Sequence, residues 1–152
     1  MPPKDTICAA AFLGDGLEDV KEASNAAGFS GNWAVVKGNN DYYFQEAESA
    51  VFDFINYRFL ITHGHRYNLY NGYHSLVSAA RANGANAVLS GHTHIPHHIM
   101  IDGIHLINPG SVSRPRSRIG ATFAVIECAE GKQLMVEFFG IGEGGKIWSI
   151  EI

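Results

Sequence analysis

Apolar runs closed by glycine or by a polar turn recur along the chain with two different periods. "TICAAAFLGDG" is apolar from Thr6 to Leu13 and breaks at Gly14, which predicts a buried strand. In "LEDVKEASNAAG", Leu17, Val20 and Ala23 or Ser24 share one side at helical spacing, and Gly28 stops the run. "NWAVVKGNND" predicts a short strand entering a Gly-Asn-Asn-Asp loop. "AVFDFINYRFLITHGH" predicts two strands joined near Asn56-Tyr57, the first alternating apolar and polar as a half-buried strand does. "YNGYHSLVSAARANGAN" predicts a second helix with Leu76, Val77 and Ala80 inward, and "AVLSGHTH" another buried strand. "HHIMIDGIHLINPGS" predicts a hairpin turning at Asp102-Gly103, and "ATFAVIECAEGKQLMVEFFGI" a second turning at Ala129 to Gln133.

Strand and helix alternate in the first half, and a meander follows. That order predicts an α/β fold with mixed sheets packed together and helices outside, as one domain over residues 1–152. Hydrophobic residues at 46% and charged residues at 17% are an ordinary globular balance and argue against disorder. A formal net charge of -4 leaves no basic footprint, which disfavours nucleic acid as a partner. Cys8 and Cys128 stand far apart in apolar runs, so they read as small buried hydrophobes in a reducing compartment. With no signal-like start and no run of about 20 apolar residues, the expectation is a cytoplasmic protein without a membrane span.

Chemistry enters where strands end. "LGDG" presents Asp15, "KGNND" Asn39, "THGH" His63 and "SGHTH" both His92 and His94, each beside a glycine that lets the backbone turn sharply. In open α/β sheets, ligands bind at that edge. A carboxylate, an amide oxygen and three imidazoles form a mixed oxygen and nitrogen donor set. Such a set suits a borderline divalent ion, Mn, Fe, Ni or Zn, and suits neither calcium nor an all-thiolate zinc site.

In this order, "FLGDG", "VVKGNND", "LITHGH", "LSGHTHIP" and "INPGSVSRPR" resemble the calcineurin-like metallophosphoesterases, nearest to their small bacterial and archaeal phosphodiesterases. The resemblance implies a four-layer α/β/β/α sandwich and hydrolysis of a small-molecule phosphate ester by a metal-activated hydroxide. It implies that Asp15 bridges two ions, that Asn39, His63 and His92 complete one shell, and that His94 reaches the other ion. Mn2+ is the expected ion, with Ni2+, Fe2+ or Zn2+ as alternatives.

Two departures stand out. The family's Asp-x-His motif, one strand and helix upstream, has no counterpart: before Asp15 the only acid is Asp5, and the first histidine of the chain is His63. The sandwich is therefore expected to lack its first strand and helix, with two ions in an intact member and one as the reduced alternative. Either the chain is a shortened form of a longer one, or it is a reduced member whose exposed sheet edge pairs with another copy. Asn40 stands where larger relatives have a proton-donating histidine, which passes that role to His65 or to water and leaves Asn40 for substrate. Asp41 keeps the acidic position, expected to orient a neighbour.

Arg114 and Arg116, with Arg118, are candidates to grip phosphate, against the plainer reading of a solvated loop. For Asp15 the plainer reading is a helix cap, for Asn39 a tight turn. His97 and His98 fall on opposite faces of one strand, and His74 and His105 read as structural. A non-catalytic scaffold of the same fold is the rival to the enzyme.

Overall fold

Alternation along the strands sorts side chains into two separate cores. The computed structural model describes residues 9–29 and 31–152, so the Thr6–Cys8 part of the predicted first strand lies outside the described residues. Strand β1 (Ala9–Phe12), helix α1 (Leu17–Ala27) and strand β2 (Asn32–Val35) form a parallel crossover. A second, larger sheet holds β3 (Ser49–Phe54), β4 (Tyr57–Thr62), β5 (Ala87–Ser90), β6 (His97–Ile101) and β7 (Ile104–Asn108) in the order β3-β4-β5-β7-β6. Its central strands β4, β5 and β7 run parallel, and β3 and β6 are antiparallel to their neighbours. Helix α2 (His74–Ala82) joins β4 to β5. The chain ends in an antiparallel meander of β8 (Ala121–Glu127), β9 (Met135–Ile141) and β10 (Ile147–Ile150).

On one face of the large sheet, Phe59, Ile61, Ala87, Leu89 and Ile107 pack with Phe138 of β9 and with Leu13, Val36 and Leu134, which flank β1, β2 and β9. On the opposite face, Leu60, Val88 and Leu106 pack against Leu76, Val77 and Ala80 of α2. Consecutive residues thus enter different cores, as a strand's period of two demands. Each fully buried Leu or Ile contributes roughly 1.5–3 kcal/mol, so a one-residue register slip that exchanged the faces would be heavily penalised. The order of layers is α1, then β1-β2 with the meander, then the five-stranded sheet, then α2.

Helix α1 is held more lightly. Leu17 is buried and Ser24, not Ala23, turns inward, where its hydroxyl accepts the Trp33 indole N–H at 2.9 Å. Gly28 closes the helix in the left-handed conformation, φ 59°. Both hairpin turns lie where the sequence predicts them, with Asp102 at φ 52° and Gly103 at φ 79°. Strand β10 was not predicted; its "IWSI" follows a glycine-rich turn and pairs with β9. Cys128 is free and half-buried, and burial raises its thiol pKa, in keeping with a structural role. No helix among the described residues is long and apolar enough to cross a membrane.

Candidate metal centre

Strands β1, β2, β4 and β5 deliver four loops to a common rim, and two glycines let the first pair meet. A Cβ on Gly14 would lie 2.4 Å from the Gly38 nitrogen, and one on Gly38 would lie 1.9 Å from Asp15 Oδ1. Any side chain at either position would push the loops apart. The buried carboxylate of Asp41 joins them. Its Oδ2 accepts the amides of Asp15 at 2.7 Å and Gly38 at 2.8 Å, and its Oδ1 those of Gly16 at 2.9 Å and Leu17 at 3.2 Å. Burial alone would raise the Asp41 pKa, but the amides of Gly38, Gly16, Leu17 and Asp15 outweigh it and hold the carboxyl below its ordinary value.

Asp15 does not cap α1. The N-cap is Gly16, with no side-chain cap bond of its own, and Asp41 satisfies the first-turn amides. The Asp15 carboxylate is free to face the rim. There Oδ1 accepts the Asn40 amide at 2.8 Å and Oδ2 the Asn40 side-chain Nδ2 at 2.6 Å. Asn40 is therefore engaged with Asp15.

His63 is the centre of the arrangement, with a side chain only 2% exposed. Its Nδ1–H donates to the Leu13 carbonyl at 2.6 Å. A carbonyl can only accept, so the neutral ring keeps its lone pair on Nε2, pointing at the rim. Around Nε2 stand Asn39 Oδ1 at 3.1 Å, His92 Nδ1 at 3.2 Å and Asp15 Oδ2 at 3.4 Å. The His63 and His92 rings meet edge to face, centroids 5.1 Å apart. Burial, then the charges of His63 and His65, lower the His92 pKa, which favours the neutral imidazole that binds metal.

The donor chemistry fits a divalent cation. Ligands at about 2.0–2.2 Å from one ion stand roughly 3.0–3.6 Å from each other, and the separations from His63 Nε2 fall in that range. Acceptors outnumber protons among these atoms, and a cation relieves that imbalance. The side chains nevertheless lean on one another: among the described residues no three of His, Cys, Asp and Glu are spaced as a ready site. The amide oxygen of Asn39 and small rotations of the two imidazoles would be needed.

His94 stands apart. Its Nδ1–H donates to the Arg114 carbonyl at 2.6 Å, and among the described residues it makes no side-chain hydrogen bond or ring contact with Asp15, Asn39, His63 or His92. The resemblance puts His94 at the other ion and not in this shell; its Nδ1–H bond to Arg114 leaves the lone pair of the neutral ring on Nε2, as the Leu13 bond does for His63. Beneath the β5 loop, the buried Asn108 amide donates to the Gly91 carbonyl at 2.8 Å and to Thr93 Oγ1 at 3.0 Å, while its Oδ1 accepts the Gly110 amide at 2.9 Å. The "NPGS" segment is thus a strut for the histidine loop. Three candidate ligands adopt left-handed backbone: Asp15 at φ 65°, His92 at φ 64° and His94 at φ 59°. Such conformations are unfavourable for residues with a Cβ and cluster at functional sites.

His65 borders a recess of about 390 Å³ with Lys37, Asn39, Tyr42, Glu48 and Arg66. Its ring lies 5.4 Å from that of His63 and 6.3 Å from that of His92. Its Nε2 faces Glu48 Oε1 at 3.8 Å, and its buried Nδ1 has no hydrogen-bond partner among the described residues. Burial, then His63, lowers its pKa. Glu48 is clamped by two Arg66 bonds of 2.9 Å. Neither Glu48 nor Arg66 was singled out from the sequence, where they carry no motif. Burial also lowers the pKa of His98 and His105, which bond to each other at 2.9 Å on the far strands, away from this rim.

The model of the calcineurin-like phosphoesterase superfamily domain matches residues 4–131, most of the chain. This chain belongs to that superfamily. A Mycoplasma pneumoniae protein named "Probable metallophosphoesterase" is 35% identical over 101 residues, 64% of this chain and 62% of that one. The chain thus spans about three-fifths of the length of that curated relative. The crystal structure of a Streptococcus pneumoniae protein described as a predicted phosphoesterase superposes with TM-score 0.77 at 27% identity, covering 96% of this chain and 84% of that one. Vps29 of Entamoeba histolytica, solved with Zn2+, superposes with TM-score 0.72 at 20% identity over 95% of this chain and 82% of that one, a likeness of fold. Within this phosphoesterase domain the rim loops of β1, β2, β4 and β5 carry the candidate donors.

Proposed function

We propose that the chain is a metal-dependent phosphoesterase acting on phosphodiesters, with Mn2+ as its working ion. The observation that carries the reading is the meeting of Asp15, Asn39 and His92 around His63 Nε2, with His63 Nδ1 already committed to Leu13. Asp15, Asn39, His63 and His92 would hold the ion. When bound, it supplies positive charge that activates water and offsets the negative charge of the phosphoryl oxygens.

The chain's own groups do the rest. The Leu13 carbonyl fixes the His63 ring and its tautomer. Asp41 positions the Asp15 and Asn39 loops through backbone amides. His65, beside the rim with Nε2 facing Glu48 at 3.8 Å, is the group to which we assign protonation of the leaving oxygen. Arg114 and Arg116 supply positive charge on the β5 side of the rim for an anionic ester.

One observation favours the scaffold reading instead: among the described residues no three of His, Cys, Asp and Glu are spaced as a ready metal site. Hydrolysis of bis-p-nitrophenyl phosphate by the chain with added Mn2+ separates the two. The enzyme reading expects turnover that EDTA abolishes and that His92→Ala lowers at least about a hundredfold. Absence of metal-dependent turnover, with the protein folded, establishes the scaffold.

A further inference from the structure

The arginines divide cleanly by partner. Arg58 pairs with Asp53 at 3.0 Å, Arg66 with Glu48 at 2.9 Å, and Arg81 with Asp102. Arg114, Arg116 and Arg118 all stand in the single loop after "NPGS", and among the described residues none has a carboxylate partner. In a chain of formal net charge -4, three uncompensated guanidiniums in one place beside a candidate metal centre call for an anion.

One of the three is already positioned. The Arg116 guanidinium donates to the Tyr70 hydroxyl, and the Arg116 backbone amide donates to the His94 carbonyl at 3.2 Å. Tyr70 comes from a distant segment, a 3-10 turn at Leu69–Asn71. Leu69 is buried against Gly64, where a Cβ would meet its Cδ1 at 2.7 Å, so the turn is seated directly on the loop between His63 and His65. With Leu69 inside, Tyr70 is left outside. It is 59% exposed, and its ring stands edge-on to His92, centroids 5.8 Å apart. The hydroxyl accepts from Arg116 and retains its own proton, while the guanidinium keeps further N–H donors. Among the described residues the Tyr70 hydroxyl hydrogen and the Arg116 guanidinium N–H groups not spent on Tyr70 meet no acceptor, and the Tyr70 ring stands against His92.

We infer that Tyr70 and Arg116 form one anion grip at the mouth of the site, which takes a non-bridging oxygen of a phosphodiester. The inference rests on the phosphoesterase reading and adds Tyr70 as a substrate-binding residue. Arg116 supplies the charge, and Tyr70 both holds the guanidinium in place and donates a second hydrogen bond. Its aromatic ring keeps the pair over His92.

The test has a readout free of metal and turnover. Inorganic phosphate is titrated into the metal-free protein while the Arg116 Nε–H and backbone amides of residues 92–94 and 116 are followed by 15N NMR. These resonances are expected to shift together with one millimolar-range Kd. Tyr70→Phe, which keeps the ring and removes the hydroxyl, should raise that Kd about fivefold, the loss of one hydrogen bond. Arg116→Lys should retain more binding than Arg116→Gln, and Tyr43→Phe should change nothing. In the Mn2+-loaded protein, Tyr70→Phe should raise KM for bis-p-nitrophenyl phosphate about fivefold with kcat within about twofold. Unmoved Arg116 resonances, or equal phosphate binding by wild type and Tyr70→Phe, would overturn the grip. Phosphate shifts without any turnover would sink the enzyme reading and leave the grip standing.

Discussion

Asp41 accepts the backbone amide of Asp15 at 2.7 Å, so the acid facing the rim is held in place by a second, buried acid. Three more amides bind the same carboxylate. Asp41→Asn replaces one acceptor oxygen by an NH2 that would confront backbone N–H groups. The expected cost is about 3 kcal/mol of folding stability, the scale of charged hydrogen bonds lost in a buried place. Urea denaturation checks it; a loss under about 1 kcal/mol would show that the loops hold together without this hub.

The close approach of Gly14 and Gly38 can be tested with a methyl group. Gly38→Ala would place its Cβ 1.9 Å from Asp15 Oδ1, and Gly14→Ala would strike the Gly38 backbone at 2.4 Å while holding φ +91°. Each should cost at least about 2 kcal/mol and displace Asp15. Gly28→Ala, at φ +59° with nothing within 4 Å, is the control and should cost only about 1 kcal/mol. Equal costs at all three positions would remove steric contact as the cause.

Metal loading should stabilise the folded chain. An ion that binds the native state alone adds about 2.7 kcal/mol at a hundred times its Kd, read as a rise in Tm that EDTA reverses. His63→Ala, which removes the atom around which the donors gather, should abolish the rise. His94→Ala should leave most of it, because among the described residues His94 makes no side-chain hydrogen bond or ring contact with the donors around His63 Nε2. A Tm rise lost in His94→Ala but kept in His63→Ala would contradict the geometry.

Acid should loosen the β6-β7 edge. Burial lowers the pKa of His98, His105 and His97 below the ordinary 6.5, with neighbouring histidine charge adding to the effect at His98. A depressed native pKa means the unfolded chain binds protons first. The stability from the neutral rings is therefore complete above about pH 6.5 and lost as pH falls through the lower native values. The urea midpoint should drop between pH 7.5 and pH 5, and His98→Gln should flatten that slope. An unchanged slope in the variant would assign the acid sensitivity elsewhere.

The strands that end at the rim were legible because each is a short apolar run closed by a glycine break. From these, the gathering of Asp15, Asn39 and His63 with His92 follows from the topology of parallel strands. What was not legible depends on backbone atoms. Asp41 and Asn40 lie in the same "GNND" loop, and nothing in their types says that one serves four amides while the other serves both oxygens of Asp15. The turn of His94 toward Arg114 is likewise decided by a carbonyl twenty residues away. Tyr70 gave no signal at all, since its place over His92 depends on where Leu69 is buried.

The left-handed backbone at positions 15, 92 and 94 has a consequence for evolvability. Glycine would relax each of these torsions, so a search that rewarded only ruggedness would replace the aspartate and both histidines. A library of this chain selected for heat resistance should drift toward exactly the variants that have discarded their donor atoms, and sturdiness and reactivity here draw on the same three residues in opposite directions.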